Sequence, residues 1–221
     1  MSMLDSAVAK ATSMPNINLT GLHFHIGSQI TTMEPYALLC QKVNGLIEKY
    51  RSQGVRLSQV NVGGGLGIDY EQPDEHPFSP FEEYFATFRD NLDLNKIETV
   101  HFELGRSIVA QCGNLITKVL YVKHGVNKKF VIVDAGMNDL IRPALYDAHH
   151  NIDNLSNPDG CKTDKYDVVG PICESSDTFA TDELMPETKR GDILAIRSAG
   201  AYGETMASTY NMRSLTPSVL I

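Results

Sequence analysis

Neither a membrane-length apolar run nor a CxxC pair occurs in this sequence. No apolar stretch reaches the roughly 18 residues that a membrane-spanning helix needs. Met1 to Lys10 carries no secretory-type apolar segment either. The four cysteines, Cys40, Cys112, Cys161 and Cys173, are irregularly spaced. That spacing argues against a structural zinc knot or a disulfide framework and makes a reducing cytoplasm the expected setting. Positive charge is also short: 19 Lys and Arg stand against 27 Asp and Glu, for a formal charge of −8. With no basic patch, a nucleic-acid role is not expected. Internal repeats and low-complexity tracts are missing too.

What remains is ordinary globular composition, 42% hydrophobic and 21% charged over 221 residues. That length allows one large domain or two modest ones. Leu22 to Ile26 reads as a short buried strand ending at Gly27-Ser28. Thr31 and Glu34 form a potential capping box. Leu39, Val43, Leu46, Ile47 and Tyr50 then repeat at helical spacing, and Gly54 supplies a stop. Val60 to Val62 is the next strand, broken by Gly63-Gly64-Gly65. Ser79-Pro80-Phe81-Glu82 predicts an N-cap at Ser79 with Pro at the first helical position. The apolar face of that helix is Phe81, Tyr84, Phe85, Phe88 and Leu92. Thr99 to Phe102 is a third strand, followed by Glu103-Leu104-Gly105-Arg106.

The first half is therefore β-α-β-α-β, which predicts parallel strands with helical crossovers. After about Ser107 the texture changes. Leu115 to Val122, Phe130 to Val133, Tyr166 to Val169 and Ile193 to Ile196 predict a mostly antiparallel β-domain. Asn151 to Asp164 reads as a polar loop. The fold class is α/β plus β: a partial (β/α) barrel over residues 1–110 and a β-rich domain over residues 111–221. Three parallel strands cannot close a barrel, which takes about eight strands and ~250 residues. The chain is thus expected to be part of something larger. Its last residues, Ser218 to Ile221, stop inside a strand-like run, which points the same way.

In such folds chemistry gathers at the C-terminal strand ends. His23 and His25 alternate, so both are expected on one side of a strand. They read as a metal pair, as one functional ring with a packed neighbour, or as two core histidines. Nothing else completes a zinc site, so metal is discounted. The glycine triplet is a tight turn or an anion cradle, since backbone without Cβ can approach a phosphate closely. Glu103 and Arg106 are a surface ion pair, or a carboxylate for a charged ring nitrogen beside a fork of donors for phosphate or carboxylate. Arg142 and Tyr146 offer a cation and a phenol, or a solvated arginine and a half-buried tyrosine. Cys173 precedes Glu174, although a lone cysteine is usually a small buried hydrophobe. Tyr202 lies among glycines that suggest close backbone packing.

Taken in order, these motifs resemble the fold type III, alanine-racemase-like family of pyridoxal-phosphate (PLP) decarboxylases. The resemblance is carried by Gly21-Leu22-His23-Phe24-His25-Ile26-Gly27-Ser28-Gln29, the glycine triplet, Glu103-x-Gly105-Arg106, Cys173-Glu174 and Gly200-Ala201-Tyr202-Gly203. It covers roughly Leu4 to Ile221. Arg142 with Tyr146, and Glu rather than Asp at position 174, resemble the diaminopimelate branch. The first half would be the C-terminal part of a (β/α)8 PLP-binding barrel.

The resemblance implies roles. His25 would stack on the pyridine ring, and Ser28 with Gly63, Gly64 and Gly65 would bind the phosphate. Glu103 would face the ring nitrogen, with Gly105 and Arg106 beside the phosphate and a substrate carboxylate. Arg142 and Tyr146 would grip the far carboxylate of meso-diaminopimelate, and Glu174 its far amino group. Cys173 would be the proton donor, reaching across a homodimer interface into a shared active site. Tyr202 would touch cofactor and substrate. A ring nitrogen kept protonated by a carboxylate lets PLP act as an electron sink, and a thiol can return the proton.

Two departures accompany the match. Leu104 stands where the family usually has Pro. The lysine that would hold the cofactor covalently is missing: only Lys10 precedes His25, in Ala9-Lys10-Ala11-Thr12, which reads as a helix tail. The chain is therefore expected to be inactive or nearly so. The alternatives are an ornithine-, arginine- or carboxynorspermidine-type decarboxylase, a non-catalytic PLP-binding or dimerisation fragment and, more distantly, a zinc hydrolase.

Overall fold

A computed structural model describes residues 3–221. They form two compact units. One runs through Gly67 and resumes over Ser79–Gly105; the other combines Ile68–Phe78 with Arg106–Ile221. The eleven residues from Ile68 to Phe78 leave the first unit between β2 and α3, which nothing in their sequence announces.

The first unit contains α1 (Met3–Ser13), β1 (Gly21–His23), α2 (Glu34–Ser52), β2 (Gln59–Asn61), α3 (Phe81–Asn91) and β3 (Thr99–His101). The three strands are parallel in the order β1-β2-β3, with Leu22, Val60 and Val100 in register. This is the predicted β-α-β-α-β unit. Tyr36, Leu39, Cys40, Val43 and Ile47 of α2 pack with Val60, Val62, Tyr84 and Phe88 into one core. Each large side chain so buried contributes about 1.5–3 kcal/mol relative to exposure. Phe102 meets Tyr84, Phe85 and Phe88 edge-on at 5.0–5.8 Å between ring centres. Such edge contacts add to the burial itself.

Three details differ from expectation. The strand expected over Leu22 to Ile26 ends at His23. Phe24 N–H still donates to Asn61 O, but Gly63 then turns away with φ +72°, so β1 has no ladder partner beyond that point. The capping box does not form: Met33 is the N-cap of α2 and gives no side-chain hydrogen bond. Pro35 sits in the first turn instead, where its missing N–H costs nothing. Likewise Pro80, not Ser79, is the N-cap of α3. Ser79 Oγ is buried and donates to Gly67 O at 2.9 Å, because a buried carbonyl left unpaired costs more than an exposed helix end.

The second unit holds α4 (Arg106–Val109), β4 (Leu115–His124), β5 (Lys129–Val133), α5 (Arg142–Tyr146), β6 (Ile152–Asn154), β7 (Lys162–Val169), β8 (Thr178–Pro186) and β9 (Ile193–Ile196). Six strands form one sheet in the order β6-β9-β4-β5-β7-β8. Only β5-β7 is parallel. The outer strands β6 and β8 approach each other, so the sheet nearly closes. Val119, Val131, Val133, Ile152, Tyr166, Val168, Phe179, Leu194 and Ile196 fill it.

The segment Asn151 to Asp164 is not simply a loop. Ile152 and Asn154 are buried in β6, and β7 already begins at Lys162. A three-residue strand is too short to show alternation, and Asn154 is buried because its amide bonds to Thr188 and Asp192. The pattern of β8 is obscured for a related reason. Asp182 interrupts it at φ +54°, held by Asp167 accepting its N–H.

Two glycines give opposite forecasts. Gly45 is exposed on α2, and a Cβ added there would meet nothing within 4 Å. A Cβ on Gly64 would instead fall 2.2 Å from Glu103 O. Gly45→Ala should raise stability by about 0.5–1 kcal/mol. Gly64→Ala should lower it by about 1–3 kcal/mol, the usual cost of overpacking. Urea unfolding of both variants checks the pair, and equal effects would contradict the packing described.

Candidate functional site

In the first unit the loops after β1, β2 and β3 meet at the glycine triplet. Gly63 lies against Phe24 O and His25, Gly64 against Glu103 O, and Gly65 against Gly27 O. The φ values of +72° at Gly63 and +103° at Gly65 suit glycine alone at low cost. So the tight-turn reading is correct, and the question is what the turn leaves free. Gly63 N–H donates to Asn61 Oδ1 at 2.9 Å. Among the described residues, the amides of Gly64 and Gly65 donate to no protein acceptor. Unused amides in a left-handed turn are what an anion needs.

Asn61 also donates from Nδ2 to Glu103 Oε1 at 2.9 Å, and His23 Nε2 lies 3.2 Å from Glu103 Oε2. Glu103 is thus fixed at both oxygens while half its side chain stays exposed. His25 is exposed next to Gly63, with Ser28 beyond it. His23 and His25 therefore have different jobs: one braces a carboxylate and the other presents its ring. Among the described residues no three His, Cys, Asp or Glu side chains are grouped to hold a metal.

In the second unit two arginines share one tyrosine. Arg106 Nη1 donates to Tyr70 OH at 2.6 Å, and its guanidinium lies 5.0 Å from the Tyr202 ring. The Arg142 guanidinium lies 4.8 Å from the centre of the Tyr70 ring. Arg142 is buried, and among the described residues it forms no ion pair with an acid. Burial pushes its pKa down, and Arg106 pushes the same way. Arg142 Nη1 lies 2.7 Å from His150 Nε2, and His150 Nδ1 lies 2.8 Å from Arg197 O. Because arginine keeps its proton, Nε2 must accept and Nδ1 must carry the ring hydrogen. Burial holds His150 down to about 4.

Tyr202 has φ +61°. The flanking glycines allow it: a Cβ on Gly200 would reach Val109 O at 2.0 Å, and one on Gly203 would reach Ala199 O at 2.3 Å.

Cys173 and Glu174 are exposed on the loop from β7 to β8. Asp177 ties the base of that loop. Its carboxylate accepts from Met137 N–H and Ile172 N–H, each at 2.6 Å, and its carbonyl accepts from Gly170 N–H. Burial raises the Asp177 pKa, against the pull of the two amides. Tyr210 OH donates to Glu174 Oε1 at 2.6 Å. Tyr146, in contrast, is not part of the arginine cluster. It is exposed in an open groove of about 700 Å³ with His149, Phe179 and Glu183.

Residues 8–200 match the family described as pyridoxal-dependent decarboxylase, C-terminal sheet domain. The chain belongs to that family. It is 52% identical over 215 residues to a diaminopimelate decarboxylase of Bacteroides thetaiotaomicron, covering 97% of this chain and 55% of the relative. It is 46% identical over 192 residues to one from Helicobacter pylori, covering 87% and 46%. The crystal structure of the Helicobacter pylori enzyme complexed with L-lysine is similar at a TM-score of 0.84 and 41% identity, over 96% of this chain and 52% of that one. A lysine/ornithine decarboxylase from Vibrio vulnificus, 23% identical with a TM-score of 0.81, shares the fold. The chain spans about half the length of the curated relatives it matches.

For a member of the pyridoxal-dependent decarboxylase family, sequence reasoning missed Asn61, Tyr70, His150, Asp177 and Tyr210. Only Asn61 carried a signal, since it stands two residues before Gly63 and an Asx turn is common at such a spacing. Tyr70 and Tyr210 reach their partners across 36 residues of sequence, Asp177 joins nearby Ile172 to Met137 40 residues away, and His150 lies eight residues from Arg142.

Two measurements follow from this geometry. Because His150 is held below its unfolded value of 6.5, the unfolded chain binds its proton first as pH falls. Stability from this group is complete above pH 6.5 and declines between 6.5 and about 4, by about 3 kcal/mol in total at ~1.4 kcal/mol per unit. Urea unfolding across that window should show a slope that His150→Gln flattens; an unchanged slope would place a charged ring there. Asp177→Ala should orphan the buried Ile172 amide and the partly buried Met137 amide and cost about 2–4 kcal/mol, with amide exchange accelerating at Met137 and Ile172.

Proposed function

We propose that this chain carries cofactor- and substrate-binding residues of a PLP-dependent decarboxylase acting on meso-2,6-diaminopimelate to give L-lysine. The observation that carries the reading is Arg142, a buried guanidinium with no acid beside it among the described residues, sharing Tyr70 with Arg106. Such a charge suits a ligand that brings its own carboxylate. The residues present also fit an anionic cofactor. Among the described residues the Gly64 and Gly65 amides are unused, His25 presents an exposed ring beside them, and Glu103 is fixed with its carboxylate half open.

On this reading Gly63 to Gly65 and Ser28 hold the phosphate and His25 stacks on the ring. Glu103 keeps the ring nitrogen charged, and Arg106, next to Gly105, serves phosphate and substrate. When bound, PLP supplies the electron sink for the bond that releases CO₂. Arg142 takes the far carboxylate, Glu174 the far amino group, and Tyr202 touches both ligands, while Tyr146, exposed in its own groove, takes no part in that grip. Cys173 holds the proton that replaces CO₂ and works in a homodimer. Relatives named diaminopimelate decarboxylase, and Glu rather than Asp at position 174, favour this substrate. Four free thiols suit a cytoplasmic setting, and among the described residues no helix is long and apolar enough to cross a membrane.

The test is a PLP titration of the purified chain followed by borohydride. The expected result is reversible binding, no trapped adduct and no CO₂ from meso-diaminopimelate, because no lysine stands in the family's context. Arg106→Gln should weaken binding about tenfold or more, the worth of a charge-assisted bond to phosphate. Failure to bind PLP at all would overturn the cofactor assignment. A trapped adduct with CO₂ release would overturn the expectation of an inactive chain.

A further inference from the structure

Arg142 raises a question of orientation. An arginine buried beside an acid is fixed by it but also neutralised, and it then has little left for a ligand. Here the fixing group is a histidine. His150 is fully buried, and its two nitrogens are both used, Nδ1 on Arg197 O at 2.8 Å and Nε2 against Arg142 Nη1 at 2.7 Å. The carbonyl belongs to the residue just after β9, so the ring orientation is tied to the central sheet. Tyr70 closes the arrangement, its ring 5.0 Å from His150 at 76° and 4.8 Å from the Arg142 guanidinium. The charged or titratable groups facing His150 are Arg142, Arg106, His149 and Tyr70, and among the described residues none is a carboxylic acid.

We propose that His150 is a positioning residue that holds Arg142 ready for a ligand carboxylate, by accepting one of its hydrogens without cancelling its charge. This rests on the carboxylate reading of Arg142 given above. An uncharged acceptor directs Nη1 while the positive charge stays available. An acid in the same place would form a buried ion pair and close the group to ligand. A second proton on His150 would set a cation against Nη1, so the arrangement works only with the neutral ring.

The experiment uses the intact chain and meso-diaminopimelate as the probe, with affinity measured by calorimetry at pH 8. Wild type and His150→Gln, which keeps a neutral acceptor, should agree within about threefold. His150→Leu should bind about tenfold more weakly, the worth of a hydrogen bond to a charged group. Arg142→Gln should be at least as weak, and adding His150→Leu to it should cost nothing further, since both act through one group. If the two losses add, or His150→Leu retains wild-type affinity, the positioning role is wrong. If Arg142→Gln binds like wild type, or wild type does not bind, the carboxylate reading of Arg142 falls and the role of His150 with it. Should His150→Leu fail to fold, ¹⁵N NMR of the wild type decides. Ring hydrogen on Nδ1 alone, with the Nε2 resonance moving when the probe binds, supports the proposal. Hydrogen on Nε2, or a resonance indifferent to the probe, rules it out.

Discussion

A guanidinium taken out of water loses several kcal/mol of solvation, and proteins usually return that energy with a carboxylate. Arg142 gets no carboxylate among the described residues. It has a neutral imidazole, a tyrosine face and, nearby, a second arginine. Two like charges around one aromatic ring are offset here by the ring's negative face and by hydrogen bonds. That constraint accounts for much of the second unit. Tyr70 must come from a segment that leaves the first unit, His150 must sit where β9 ends, and Tyr202 must adopt a left-handed conformation to lay its ring by Arg106.

The first unit obeys a different constraint, of space. Glycines 63 to 65 are required because three backbone segments approach too closely for a Cβ. The consequence for chemistry is indirect. The turn points two amides where no oxygen of the described residues meets them, and Asn61 uses one side-chain amide to brace the turn and Glu103 together. Geometry demanded by packing is thereby available for an anion, without any residue whose only purpose is to bind one.

The division between legible and hidden follows from range. Periodicity revealed α2 and α3 because their buried residues repeat every three or four positions. Glycines and charged residues placed just after apolar runs marked where the loops follow β2 and β3, although β1 stops at His23, short of the glycine that was expected to end it. The separate parts of the candidate site, His25, Glu103, Arg106, Arg142 and Tyr202, stood out because their residue types suit anions and rings. Their supports did not. Tyr70, Asp177 and Tyr210 look like any other residue of their type until contacts 36 or more residues away, to Arg106, Met137 and Glu174, give them a place. β6 was hidden because three residues carry no period, and the failed caps at Thr31 and Ser79 show a local rule yielding to tertiary demand: Ser79 serves a buried carbonyl instead.

The loop bearing Cys173 and Glu174 illustrates how such supports shape chemistry. An exposed loop ordinarily samples many conformations, which would leave its side chains poorly aimed. Asp177 counters this from below by closing the loop onto Met137 and Ile172, and Tyr210 counters it from the side by bonding Glu174. The burial that raises the Asp177 pKa is the cost of that clasp, and it is borne at the loop's base, away from the thiol. Cys173 itself stays exposed and unconstrained by any hydrogen bond to its sulfur among the described residues. The clasp thus fixes the Glu174 carboxylate while the neighbouring thiol keeps no bonded partner among the described residues.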